Sequence, residues 1–368
     1  MNPDHVLATP TDTLAAAPKH LPAATPTRAR SALHVDLEQI KDWPPEYGQQ
    51  LSSHLPMALH ALHQLGASEA QIREFIAGYC TRFQGQGQAQ RGQVLSDWRQ
   101  ALGQFDAFAD LRLSFAAELA RAGRDAVLAQ ALQVLLPGVS AVAFHGLIRI
   151  AHAVEGGHEG ELASALAYWA CRWQTLPPPP PSPPASAPEL DMGLAAWSRA
   201  LVDGARGWRS EAPLIFLRMQ AASATPVYAE LAHRLKPEAG IAQRVAQLAH
   251  LALSYYLDSG NFTVLHMITG LRALRVLLPW LPPTLHADPA LQRLLDEAFV
   301  AAYLAGRVQP RPPPGKAQPG LPWPALAAAA CRSRDDHTIK LVHACGDEMA
   351  VYGDTRYLQA AALVLREG

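Results

Sequence analysis

Residues 52–79 read SSHLPMALHALHQLGASEAQIREFIAGY. Apolar side chains recur there at spacings of three and four, the pattern of helices packed on one face. Ser53 can cap a helix whose first turn accepts Pro56 and which stops at Gly66. Ser68 caps a second helix that runs through Ile72, Phe75, Ile76 and Tyr79. The segment is predicted to be an αα-hairpin. The same periodicity continues along the chain and predicts helices at about 109–122, 124–136, 140–155, 159–174, 190–205, 211–222, 225–234, 238–258, 260–278, 288–305, 322–332, 335–350 and 354–365. Strand signals are nearly absent, so the reading is all-α.

Two proline-rich runs interrupt the helices, LPPPPPSPPASAP at 176–188 and VQPRPPPGKAQPGLPWP at 308–324. Such runs favour extended polyproline II and are expected as loops on one large multi-helical domain over residues 35–368. Residues 1–34 are expected to be a disordered leader. They are rich in Ala, Pro and Thr, carry Asp4 and Asp12, and lack the basic start and continuous apolar core of a signal peptide. No internal repeat of solenoid period is visible.

With 49% hydrophobic and 17% charged residues, the chain can bury a large core. The formal charge of -1, from 31 basic and 32 acidic residues, gives no bias toward nucleic acid or an anionic membrane. No stretch reaches the roughly 18 uninterrupted apolar residues of a membrane span. Cys80, Cys171, Cys331 and Cys345 have no CxxC spacing and sit in apolar helical patterns, as buried reduced thiols do. A cytoplasmic protein is expected.

Histidines mark five of the apolar helical positions: His54, His145 and His152 in FHGLIRIAHAVE, His266 in NFTVLHMITGLRAL, and His337 in DDHTIKLVHACGDE. Neutral imidazole binds divalent transition metals, so rings converging from separate helices could form a cage. His145, Arg149 and His152 share one face, but seven residues at 1.5 Å set the two histidines about 10.5 Å apart, too far for one ion. Arg149 between them could hold an anionic oxygen. Lys340 lies one turn past His337; as an ammonium it repels a metal, whereas an amine desolvated enough to lose its proton can capture carbon dioxide as a carbamate, an oxygen ligand. An Asp336–Lys340 ion pair at i, i+4 is the simpler reading of that turn. Taken singly, each histidine is also explained as a core residue satisfied by hydrogen bonds. His60 and His63 read as surface positions. GQGQAQRGQ at 85–93 does not satisfy GxGxxG, and GxxxxGK[ST], HExxH and GxSxG are absent.

At HLPMALHALHQLG, FHGLIRIAHAVE, NFTVLHMITG and DDHTIKLVHA the chain resembles the questin oxidase family, over about residues 40–365. The resemblance implies a mostly helical fold and an oxidoreductase of the oxygenase type. Some members are Baeyer–Villiger-type oxidases requiring NADPH, while ring-cleaving relatives look like non-haem iron enzymes that use several histidines and a carboxylated lysine. Carried over, His54, His145, His266, His337 and Lys340 are the metal ligands, around Fe(II), with dioxygen and a small aromatic or quinone-like molecule as substrates. Arg149 and His152 would orient the substrate or stabilise an oxyanion, with Phe144 and Met267 in the pocket wall. Fungal relatives tend to carry a second histidine where this chain has Arg149, and an aromatic residue near His152. Two rival expectations are a metal-free NADPH-dependent oxidase and a non-catalytic helical binding module.

Overall fold

Gly66 ends the first helix of the hairpin in the left-handed conformation, φ 84°, and its N–H reaches the His63 carbonyl. Ser68 starts the second helix with a capping box: its hydroxyl accepts from the Gln71 N–H, and the Gln71 side chain accepts from the Ser68 N–H at 2.9 Å. The first helix is capped one residue later than expected. His54, not Ser53, is the N-cap residue, and its side chain is free for other work because it makes no capping bond.

The computed structural model describes residues 27–84, 92–178, 191–309 and 321–367. Their helices are α1 Thr27–Ile40, α2 Leu55–Leu65, α3 Glu69–Cys80, α4 Phe108–Ala122, α5 Arg124–Leu135, α6 His145–Gly156, α7 Glu159–Cys171, α8 Leu194–Gly204 and α9 Ile215–Ser223. There follow α10 Pro226–Leu231, α11 Ile241–Ser259, α12 Phe262–Leu277, α13 Pro283–His286, α14 Pro289–Ala305, α15 Trp323–Ala330, α16 Asp336–Tyr352 and α17 Arg356–Glu367. Among the described residues the only sheet is a two-stranded antiparallel ribbon pairing Glu46 with Ser52. The fold is all-α.

Four helices form its centre. Helix α2 packs on α6, α6 on α12, α12 on α16, and α16 back on α2, closing a ring. The others cover this ring: α1 lies on α2, α7 on α6, α11 and α14 on α12, and α17 on α16. A helix enclosed on every side is mostly apolar all round, and in α12 every residue from Thr263 to Leu274 is buried, with His266 and Arg272 as its large polar exceptions. The stretch Phe262–Trp280 is long and apolar enough to cross a membrane by composition alone, yet 72% of it is buried inside the protein. Fully burying one of its leucines or isoleucines stabilises the fold by about 1.5–3 kcal/mol.

Three expectations change here. Helix α1 begins at Thr27, so residues 27–34 belong to the folded body; Leu33, Leu37 and Ile40 face α2 from one side of it. The rest of the expected leader lies outside the described residues, as do 179–188 and 310–320 of the proline-rich runs. His60 is buried inside the ring against His152 of α6 and His343 of α16, and His63 is shielded by α1, bonding Asp36 at 2.8 Å, so neither is a surface position. Finally, residues 140–144 are not the first turn of α6, which starts at His145. The cysteines are all free, and Cys171, Cys331 and Cys345 are buried.

Candidate metal centre

The chain enters α6 through three consecutive non-glycine residues in the left-handed region: Val142 at φ 43°, Ala143 at φ 55° and Phe144 at φ 69°. Each such residue costs roughly 1–2 kcal/mol. Apolar periodicity does not sense handedness, which is why this stretch read as helix. All three side chains are buried, so packing holds the strained turn in place. Its product is local: the turn carries the Val142 carbonyl onto Nδ1 of His145, the first residue of α6.

The same arrangement recurs at three other helix starts. His266, in the second turn of α12, donates from Nδ1 to the Phe262 carbonyl at 2.8 Å. His54 has Nδ1 at 2.6 Å from Oδ1 of Asp336, and His337 has Nδ1 at 2.9 Å from the same oxygen. The other carboxylate oxygen of Asp336 accepts from Arg82 at 2.6 Å. Asp335 meanwhile caps α16, its side chain accepting the Thr338 N–H. The Asp336 oxygens are thus turned toward two imidazoles and a guanidinium, and the Asp336–Lys340 ion pair does not describe this turn.

An imidazole with an oxygen acceptor at Nδ1 keeps its proton there and presents a lone pair at Nε2. The four rings lie together in one region. Ring centroids are 4.6 Å apart for His54 and His145, 4.5 Å for His54 and His337, 5.0 Å for His145 and His266, and 5.1 Å for His266 and His337. One nitrogen from each of His54, His145 and His337 lies within 4.8 Å of the other two. Nε2 of His54 and of His145 is buried without a hydrogen-bond partner. Such an orphaned acceptor is expensive unless something fills the space in front of it. A soft-to-borderline cation fits that donor set.

Electrostatics agrees with neutral ligands. Burial, helped by the charge of Lys340, lowers the His54 imidazole to about 3, and burial holds His145 and His266 well below the ordinary value. Burial works to raise the Asp336 carboxyl, but His54 and His337 outweigh it and hold the group well below the carboxylate range. Lys340 is fully buried one turn beyond His337; burial pushes its ammonium down to about 8 against the opposing pull of Asp336 and Asp335.

Arg149 and His152 are not part of this group of rings. Arg149 turns to α7, where Nε and Nη2 donate to the two Glu161 oxygens at 2.7 and 2.9 Å. His152 meets His60, Nδ1 to Nδ1 at 2.8 Å, with His343 beside both. Phe144 and Met267 do line a common apolar cavity, together with Leu147, Leu271 and Phe299, but it has room for little more than a water molecule. Sequence reasoning missed His60 and His343. A histidine six residues beyond His54 and another six beyond His337 were the available signal, but their meeting with His152 is a contact between distant helices that spacing alone does not show.

A helical body with a buried polyhistidine centre held by a carboxylate is the class that fold and site define. The family described as Questin oxidase-like matches residues 51–345, and the chain belongs to that family. Membership points to an oxidoreductase. No curated protein matches the chain.

Proposed function

We propose that the protein is a non-haem iron-dependent oxygenase that acts on an aromatic or quinone-like molecule, opening a ring or inserting oxygen beside a carbonyl. One observation carries this reading. In each of His54, His145, His266 and His337 an oxygen acceptor occupies Nδ1, which leaves Nε2 free to bind, and nitrogens of His54, His145 and His337 lie within 4.8 Å of one another. Iron(II) bound there supplies the one-electron chemistry that lets dioxygen react with an electron-rich ring. The chain's own part is positional: Asp336 orients two rings, the left-handed turn orients a third, and the Phe262 carbonyl orients the fourth. Phe262 packs against both His266 and His337, with centroids 4.8 and 4.6 Å away, and keeps bulk water from that side. Lys340 adds an oxygen donor if its neutral amine takes up carbon dioxide. Arg149 acts through α6, whose position against α7 it fixes by the Glu161 pair.

Iron and zinc analysis of carefully prepared protein, alongside a His337→Ala variant, tests the proposal. Stoichiometric metal in the first and its loss in the second are expected. Metal-free protein that consumes NADPH and dioxygen with a quinone substrate would overturn it in favour of the nucleotide-dependent route.

A further inference from the structure

The ring of four helices carries a second layer of polar side chains. Six or seven residues beyond His54, His145, His266 and His337, the same helices present His60, His152, Arg272 and His343, all buried. At 1.5 Å per residue this layer lies about 9–10 Å further along the bundle. It is too far away to share an ion with the first.

Its three imidazoles are gathered closely. Ring centroids are 5.1 Å apart for His60 and His152, and 5.4 Å for His343 with each of them. Two imidazoles on one tetrahedral ion, with metal–nitrogen bonds of about 2.0–2.1 Å, place their centroids about 5 Å apart. Their bound nitrogens would be about 3.3 Å apart on the same geometry. The 2.8 Å contact between Nδ1 of His60 and of His152 therefore has to open by only about half an ångström. Nδ1 of His343 is buried and has no hydrogen-bond partner. A carboxylate completes the set, since an oxygen of Glu155 lies within 4.8 Å of nitrogens of both His60 and His152.

Buried ion pairs frame the layer and hold its carboxylates in place. Arg272 donates to both Glu155 oxygens, at 2.7 and 2.6 Å, and to Asp347 at 2.8 Å. Arg275 joins Asp347 at 2.7 Å and Glu348 at 2.6 Å. Arg272 and Arg275 thus orient three carboxylates beside the neutral imidazoles. Arg272 fixes the Glu155 carboxylate while leaving lone pairs on each oxygen free to bind.

The geometry points to a second metal site, in which His60, His152, His343 and Glu155 hold a divalent transition ion of the zinc, cobalt or iron(II) type, separate from the His54 centre. Three nitrogens and one oxygen suit these ions rather than calcium or magnesium. The inference does not depend on the catalytic reading of the first centre.

Metal-stripped full-length protein titrated with cobalt(II) tests it. Two equivalents are expected in the wild type. His343→Ala and His60→Gln should each lose one and keep the other, which His54→Ala or His337→Ala should in turn abolish. Zinc-soaked crystals of the wild type, read by anomalous scattering, provide a check that needs no variant: a peak about 2 Å from nitrogens of His60 and His152 is expected. No peak there, or His343→Ala and His60→Gln both retaining the wild-type stoichiometry, overturns the site. A peak there with none at His54 supports it and removes the oxygenase proposal instead.

Discussion

Asp336 reaches His54 across the interface of α16 and α2, its Oδ1 2.6 Å from the imidazole Nδ1, although 282 positions separate the two in the chain. Through the same oxygen it also holds His337. Asp336→Asn removes the charge that both rings share while keeping the size of the side chain. Partners of this kind typically contribute a factor of about 10–100 in metal affinity. A fall of that order at the four-histidine centre, measured by chelator competition with the helical circular dichroism unchanged, is expected. Unaltered affinity would leave Asp336 with no role in shaping the centre.

Lys340 should take up carbon dioxide when the centre is loaded with metal. The neutral amine attacks the carbon, an N–C bond forms and a proton leaves, giving an anionic carbamate. Burial, which brings the group to about 8, leaves a usable neutral fraction near pH 8. With ¹³C-bicarbonate, one labelled carbamate carbon per chain is expected in the NMR spectrum of the metal-loaded wild type and none in Lys340→Met. An unlabelled wild type takes Lys340 out of the ligand set.

Gly146 follows His145, and a Cβ there would lie 2.6 Å from Cγ of Trp169 and 2.7 Å from its Cβ. Trp169 is fully buried and its indole N–H is tied to the Gly138 carbonyl at 3.0 Å, so it cannot step aside. Gly146→Ala is expected to destabilise the fold by about 1–3 kcal/mol in urea titration. A neutral or stabilising result would mean that α6 and α7 are less closely packed than described.

Acid should weaken the metal-free protein as the pH falls below about 6.5. Burial holds His60, His145, His152 and His266 well below the ordinary imidazole value and puts His54 and His343 at about 3. An unfolded chain protonates these groups near 6.5, so between there and about 3 it binds more protons than the folded one. Stability therefore falls as pH falls, by about 1.4 kcal/mol per pH unit for each uncompensated ring. Glu155, raised by burial, and Glu348 and Asp296, pushed by burial to about 7, act in the opposite sense but are fewer. A lower urea midpoint at pH 5 than at pH 7 is expected; an equal or higher one contradicts the buried, neutral assignment.

How much of this the chain discloses unaided depends on the kind of signal. Apart from the short α13 and the entry to α6, the helices from Phe108 to Glu367 follow from apolar spacing, and Ser68 and Gly66 from their turn chemistry, because both are local properties. His54, His145, His266 and His337 stood out because a polar ring on an apolar face is rare enough to notice. The left-handed run at Val142–Phe144 has no such mark, since ordinary helix-forming and apolar residues are forced into it by the packing around them. Arg149 likewise could not reveal Glu161 as its partner, twelve positions on and on another helix. The burial of His60 was hidden for a different reason. It depends on α6 and α16, whose His152 and His343 meet His60 only once the ring of helices has closed.

His145 and His152 stand seven residues apart on α6, and His337 and His343 six apart on α16, each pair on a single continuous helix. Adding or deleting one residue between the members of a pair would swing the far one by about 100° and shift it by about 1.5 Å. Either change would strand one ring outside its group even if the helix itself folded without complaint. The spans between these histidines are therefore places where the chain can exchange letters but cannot change its count, and a related protein with an odd insertion there should have lost one layer or the other.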